Sequence, residues 1–375
     1  MLILFLAAIL VIGGHDSQPS EQYLQQTSPH DNSVKVTWLG YLPPDEFYST
    51  RAFRIFGEKG IIVTHDTILG STDGGNVWKM YAKAKYESQS IYNAWPVSSS
   101  LMYVLSDETW FVNSDPGSAR IRISSNHGKE GYLAIAGDET SGRIILAGGR
   151  SVSITRDQMN DVPKYAEDST SDTPSMIIPA ISISDNQGRT WQSIQLPKSI
   201  GYLDGLKMSG TYGVAWGSYA VYSTTNTGFS WKLVEMNIPG NDEEAYPISA
   251  SIAGDRLVVS LKNGWILEGS ITETALSSVA HLSNLLGPLV FVNSCTGFGV
   301  SSEKSPKSGR YEVDVLMKTE DGGATWTPVL HAKKIVALSV EGTYLYGVSY
   351  DRVFRIDLSG NQSTQSCGAP APPPK

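Results

Sequence analysis

The chain has 375 residues, a net charge of −8 and two cysteines, Cys295 and Cys367. That length supports a large core. The acid excess is spread along the chain with no Lys/Arg cluster interleaved with aromatics, which excludes a nucleic-acid groove. The cysteines lack metal-ligand spacing. With 36 glycines, 18% charged residues and no sustained apolar period of 3.6, the chain reads as all-β.

In chain order, Leu2 to Ile12 is an apolar run followed by Gly13-Gly14 and a polar stretch. It is too short to span a bilayer as a helix and suits a signal peptide, although no basic residue precedes Leu2. The expectation is a signal peptide over 1–14 and a polar linker over 15–33. The mature chain is then secreted or periplasmic and without a membrane span; an N-terminal membrane anchor is the competing reading. Val34 to Leu39 reads as a strand. Phe53-Arg54-Ile55-Phe56 reads as another, with Phe53 and Ile55 in the core and Arg54 facing out. His65 falls in a hairpin loop. The stretch from Tyr81 to Trp95 reads as a connection rich in aromatics. Asp157 to Pro179 is a polar insert with no glycine, forming a flap or an unpacked loop. Glu243-Glu244 sits in a solvated loop. Residues 363–375 are a Pro-rich, extended tail.

Four segments share the pattern Ser/Thr-x-Asp/Asn-x-Gly-x-x-Trp. They carry Ser71, Asp73, Gly75 and Trp78; Ser184, Asn186, Gly188 and Trp191; Thr224, Asn226, Gly228 and Trp231; and Thr319, Asp321, Gly323 and Trp326. A hydroxyl and an Asx side chain can bond nearby N–H groups and close a hairpin turn. The Gly supplies φ > 0, and the Trp offers a large apolar face to neighbouring elements. The tryptophans are 113, 40 and 95 residues apart. A gap of 95 is two units of about 47, the size of a four-stranded propeller blade. The gap of 113 divides if Asn113 to Arg120 is a decayed turn and the insert over 157–179 is set aside. After Trp326 only three strand-like runs remain, and Val34 to Leu39 can supply the fourth, pairing the two ends of the chain and removing free sheet edges. The expected architecture is an all-β propeller over 34–362 with seven four-stranded blades, six or eight being the alternatives.

These segments resemble the Asp-box (BNR) repeats of sialidases, other glycoside hydrolases, sortilin-type receptors and the photosystem II stability/assembly factor family. Likeness to the last is greatest, since Phe291 with Gly297-Phe298-Gly299-Val300 precedes Thr319 to Trp326, and Tyr212 to Gly217 precedes Thr224 to Trp231. That resemblance implies an exported, non-enzymatic assembly or binding factor. It also implies that the boxes are structural and lie opposite the usual binding face.

The sialidase resemblance implies an enzyme instead. Arg54 would match the first of three arginines that clamp a substrate carboxylate, and Asp66 would serve as acid/base. Against this, Phe56 stands where the motif has Pro, and no second or third clamp arginine is singled out. A general glycoside hydrolase needs two carboxylates across a cleft, which sequence alone does not place. For a binding scaffold the candidate surface residues are Tyr86, Tyr92, Trp95, Glu243 and Glu244. The expected partner is another protein or an extracellular glycan, bound by a monomer. No cofactor is implied and no Ca²⁺ loop is readable. In an oxidising compartment Cys295 and Cys367 form one bridge; one buried and one exposed thiol is the alternative.

Overall fold

The computed structural model describes residues 34–42, 50–83, 90–96, 101–106, 110–113, 120–122, 130–138, 141–155, 175–197, 200–239, 245–282, 284–304, 311–350 and 352–359. Among the described residues there are strands and turns and no α-helix. No helix there is long and apolar enough to cross a membrane.

The described strands fall into seven four-stranded antiparallel units. Six run in chain order over 52–83, 91–122, 130–194, 205–237, 247–281 and 285–332. The last combines Ile335–Glu341, Tyr344–Ser349 and Arg352–Asp357 with the N-terminal strand Val36–Tyr41. The first strands of the units are Ala52–Phe56, Ile91–Pro96, Glu130–Asp138, Gly205–Ser209, Pro247–Ala253, Leu285–Phe291 and Ile335–Glu341. Each contacts the next, and the last contacts the first, so the sheets close into a propeller around an axial channel.

Burial follows position within a unit. Middle strands are packed on both faces by neighbouring sheets and read as unbroken apolar or small runs. Thr67–Ser71 and Ala220–Thr224 are buried at every position. Outer strands such as Lys79–Lys83 and Lys232–Asn237 alternate with solvent. The outer strands of the fourth and fifth units, Lys232–Asn237 and Ala275–His281, pair in parallel with Glu235 opposite Ala275, fusing two units into one eight-stranded sheet.

The ring closes as the strand count requires. Val36 pairs with Ile356, Trp38 with Phe354 and Tyr41 with Arg352. The observed strand runs two residues further than Leu39, because Tyr41 still has a partner across a bulge.

The insert is shorter than its polarity suggests. Arg143–Ser153 pairs with Ser175–Ser184 from Ile144 opposite Ser184 to Ser153 opposite Ser175, so the last five residues of the 157–179 stretch are strand. Buried Ile177 anchors that ladder; the Ser/Thr-rich residues before it conceal where the strand begins. The remaining insert residues lie outside the described ones, as do residues 114–119 of the decayed turn. That turn joins Trp110–Asn113 to Arg120–Arg122, the third and fourth strands of its unit.

The closing strand should carry a large share of stability. Phe354 is fully buried and meets Trp38 edge to face at 5.7 Å. Phe354→Ala should cost about 3–5 kcal/mol, read as a lowered midpoint in chemical denaturation; a loss under about 1 kcal/mol would show that the joint contributes little.

Candidate binding channel

The four Trp turns are bonded alike. In the first, Ser71 Oγ donates to Asp73 Oδ1 at 2.8 Å and accepts from the Gly75 N–H at 2.9 Å. Asp73 Oδ1 accepts from Asn76 and Val77 N–H at 3.0 and 2.9 Å. Trp78 Nε1 donates to the Gly75 carbonyl at 2.9 Å. The same hydroxyl-to-Asx, Gly N–H-to-hydroxyl and Trp-to-Gly bonds recur in the turns at Ser184, Thr224 and Thr319. The glycines sit at φ between +79° and +99°, where a Cβ is strained. The Val77 N–H and its companion bonds hold Asp73 below the usual carboxylate range. Both Asx oxygens and hydroxyls are thus engaged in the turn itself.

All four turns join the third and fourth strands of their units. Strand alternation then puts them at one end of the ring, while the connections between units and the second-to-third turns lie at the other. The long hairpin from Arg143–Ser153 to Ser175–Ser184 is a second-to-third turn, so it leaves from the face opposite the Trp turns.

The axial channel, lined by residues of the first strands, has a volume of about 620 Å³. Arg54 lines it, with Phe53 and Ile55 buried on the other side of the strand. Facing out of the core therefore means facing the axis. The Arg54 guanidinium stacks on Trp95, its carbon 4.0 Å from the ring centre, and Nη2 donates to the Ile135 carbonyl at 2.7 Å, two units away. Lys207, central in its inner strand, reaches the Leu289 carbonyl at 3.3 Å, again two units away, and lies over Trp216. Both open partly onto the channel yet are hemmed in by protein. Burial pushes Arg54 down to about 9, which leaves it a cation at neutral pH. Burial, and then repulsion from Arg54, pushes Lys207 down to about 8. Asp204 stands at the mouth, open to water on one side, and burial raises its carboxyl to about 6.

The other candidates scatter. Asp66 does not line the channel; it accepts from Thr67 Oγ1 and pairs with Lys83 at 3.5 Å in a second-to-third turn. His65 bonds Ser90 Oγ through Nε2 at 2.9 Å. Tyr92 is half-buried under Arg51, whose guanidinium carbon is 5.4 Å from its ring centre. Trp95 both packs between units and walls the channel. Tyr86, Glu243 and Glu244 lie outside the described residues. Cys295 is buried and disulfide-bonded; Cys367, the only other cysteine, lies outside the described residues. No group of three His, Cys, Asp or Glu among the described residues is placed to hold a metal. Sequence reasoning passed over Lys207, Asp204 and Trp216. The available signal was a lone cation between Leu206 and Met208 in a first strand, the setting that Arg54 has between Phe53 and Ile55.

No protein-family model and no curated protein sequence matches the chain. Solved structures do. A structure of YCF48 bound to a D1 peptide aligns with a TM-score of 0.56 at 14% identity, over 92% of this chain and 99% of that one. YCF48 from Cyanidioschyzon merolae aligns at 0.54 and 11%, over 87% and 100%. An ancestral GH74 enzyme aligns at 0.56 and 11%, over 87% of this chain but 47% of that one. At these identities the likeness shows a shared propeller fold.

Lys207 gives the channel a measurable pH signature. Its folded pKa is about 8, against roughly 10.4 in an unfolded chain. Between those values the unfolded state binds the proton more tightly, so stability rises with pH across the window. The wild type should gain on the order of 1–3 kcal/mol from pH 8 to 10.5 relative to Lys207→Met. Parallel denaturation curves for the two proteins at pH 8 and 10 would refute this.

Proposed function

We propose that the chain is an exported, non-enzymatic propeller that binds another protein, using the face opposite the Trp turns and the adjoining channel mouth. The carrying observation is the end-to-end likeness to YCF48, one structure of which holds a D1 peptide. A propeller of matching extent that is known to hold a peptide supports the same use here. The exposed face has the means: the long hairpin leaves from it, and the rim carries Arg51, Tyr92 and Asp204. The Trp turns supply little at the opposite face, because their polar side chains are spent on their own backbone. Export rests on the apolar run at Leu2 to Ile12. The Asp-box repeat and the assembly-factor likeness belong to the same reading, with no photosystem partner implied.

Glycan hydrolysis is the second reading, favoured by the GH74 neighbour and by Arg54 facing the channel. The lining carboxylates weigh against it. Asp204 precedes a first strand and Glu341 ends another, so they stand at opposite ends of the channel, roughly 15–20 Å apart at strand rise. A glycosidase pair needs about 5–10 Å.

Cross-linking the full chain in its exported fraction should give protein adducts at Arg51 to Tyr92 and along the hairpin, with few at the Trp turns. Release of reducing sugar from β-glucan or sialyl-lactose, abolished by Arg54→Gln, would instead establish the hydrolase. A reporter fused after residue 33 that stays inside the cell would remove the export part.

A further inference from the structure

Two cations, Arg54 and Lys207, sit at mid-depth in the channel, while its two lining carboxylates, Asp204 and Glu341, and a third cation, Arg51, stand towards its ends. Arg54 comes from the first unit and Lys207 from the fourth, and each crosses the channel to a neutral carbonyl two units away. Among the described residues neither takes part in an ion pair. The lining carboxylates are otherwise placed. Glu341 accepts from the Gly57 N–H at 3.1 Å in the turn at one end, and Asp204 is at the mouth of the other. The two cations feel each other, since Arg54 is a cause of the depressed Lys207 pKa.

Donors at this point also outnumber acceptors. Among the described residues, Arg54 Nη1 is buried with no hydrogen-bond partner, and so is Nε1 of Trp95, the ring on which the guanidinium lies. An unmet buried donor costs about 1–3 kcal/mol, more when charged. Like charges lining one channel add to that cost. Two residues that only packed the ring would do so better as apolar side chains.

We propose that the channel is a binding site for a carboxylate, taken between Arg54 and Lys207 and flanked by Trp95 and Trp216. A guanidinium fork matches a carboxylate, and an ammonium supplies a second, more adaptable charge. The aromatic walls suit a short apolar stem, and 620 Å³ admits a small organic acid. The site differs from a three-arginine clamp, since the second cation is a lysine from across the ring. The carboxylate is free in solution or carried on an acidic peptide entering from the open face. The peptide form rests on the protein-binding reading and the free-acid form does not, so binding of succinate and cross-linking to a protein can fail separately.

Titration calorimetry on the full chain would use sodium succinate, the neutral analogue succinamide, and a short Glu-rich peptide beside its Gln-rich counterpart. Saturable binding of succinate but not succinamide is expected, weakened about 10- to 100-fold by Lys207→Met or Arg54→Gln. Arg54→Lys, which keeps the charge, should fall between, and it preserves the test if Arg54→Gln fails to fold. Binding of the Glu peptide alone, with the same losses in the variants, supports the site and assigns the carboxylate to a polypeptide. The proposal is overturned if no acid binds, if the neutral analogues bind as well, or if both variants bind as the wild type does.

Discussion

The pairing of Val36–Tyr41 with Arg352–Asp357 is the contact on which the ring depends. Every sheet in a closed propeller packs against two others, so opening one joint bares two apolar faces. The N-terminal strand serves both joints of the last unit. Val34, Val36 and Trp38 pack with Phe298, Val300 and Phe354 towards the sixth unit. Leu39 and Leu42 pack with Phe53, Ile55, Trp78, Tyr346 and Val353 towards the first. The two halves of one short strand thus stitch three sheets together, and the hydrogen-bond ladder fixes their register. The channel exists only because this joint holds, since its wall is the set of seven first strands.

The Trp turns were readable in the sequence because their chemistry is local. A hydroxyl, an Asx oxygen, a glycine at positive φ and an indole N–H satisfy one another within eight residues, so residue type and spacing suffice to predict the geometry. Closure was readable by counting, because three strands after Trp326 cannot make a four-stranded unit. The features that escaped are set by distant partners. The parallel pairing of Lys232–Asn237 with Ala275–His281 depends on how two sheets splay at their outer edges. The onset of strand at Ser175 is dictated by a partner at Ser153, across residues whose composition says only that they are polar.

The channel divides along the same line. Arg54 stood out as part of a short motif, and alternation correctly put Phe53 and Ile55 in the core. Its surroundings could not be read, because they come from Trp95 in the second unit, Ile135 in the third and Lys207 in the fourth. Asp66, twelve residues away and attractive as a companion, belongs to a turn beyond the channel and is held by Thr67 and Lys83. Nearness in sequence misled there for the reason it succeeded in the Trp turns: a propeller keeps a turn's residues together, while a site on its axis takes residues from many units.

That geometry also bears on which chemistry the fold can host. Side chains at mid-depth in the channel come from strands that run in one direction, so residues meet when they occupy equivalent positions in their first strands. Arg54 and Lys207 both sit third in theirs and share the channel interior. Asp204 and Glu341 occupy opposite ends of theirs and cannot converge without a register change in one unit. Cleavage of a glycosidic bond would need acids at matching depth; recognition of an anion needs only cations there. The described channel meets the second requirement, and it does so with two half-buried cations whose partial desolvation is a standing cost to the ring's own stability.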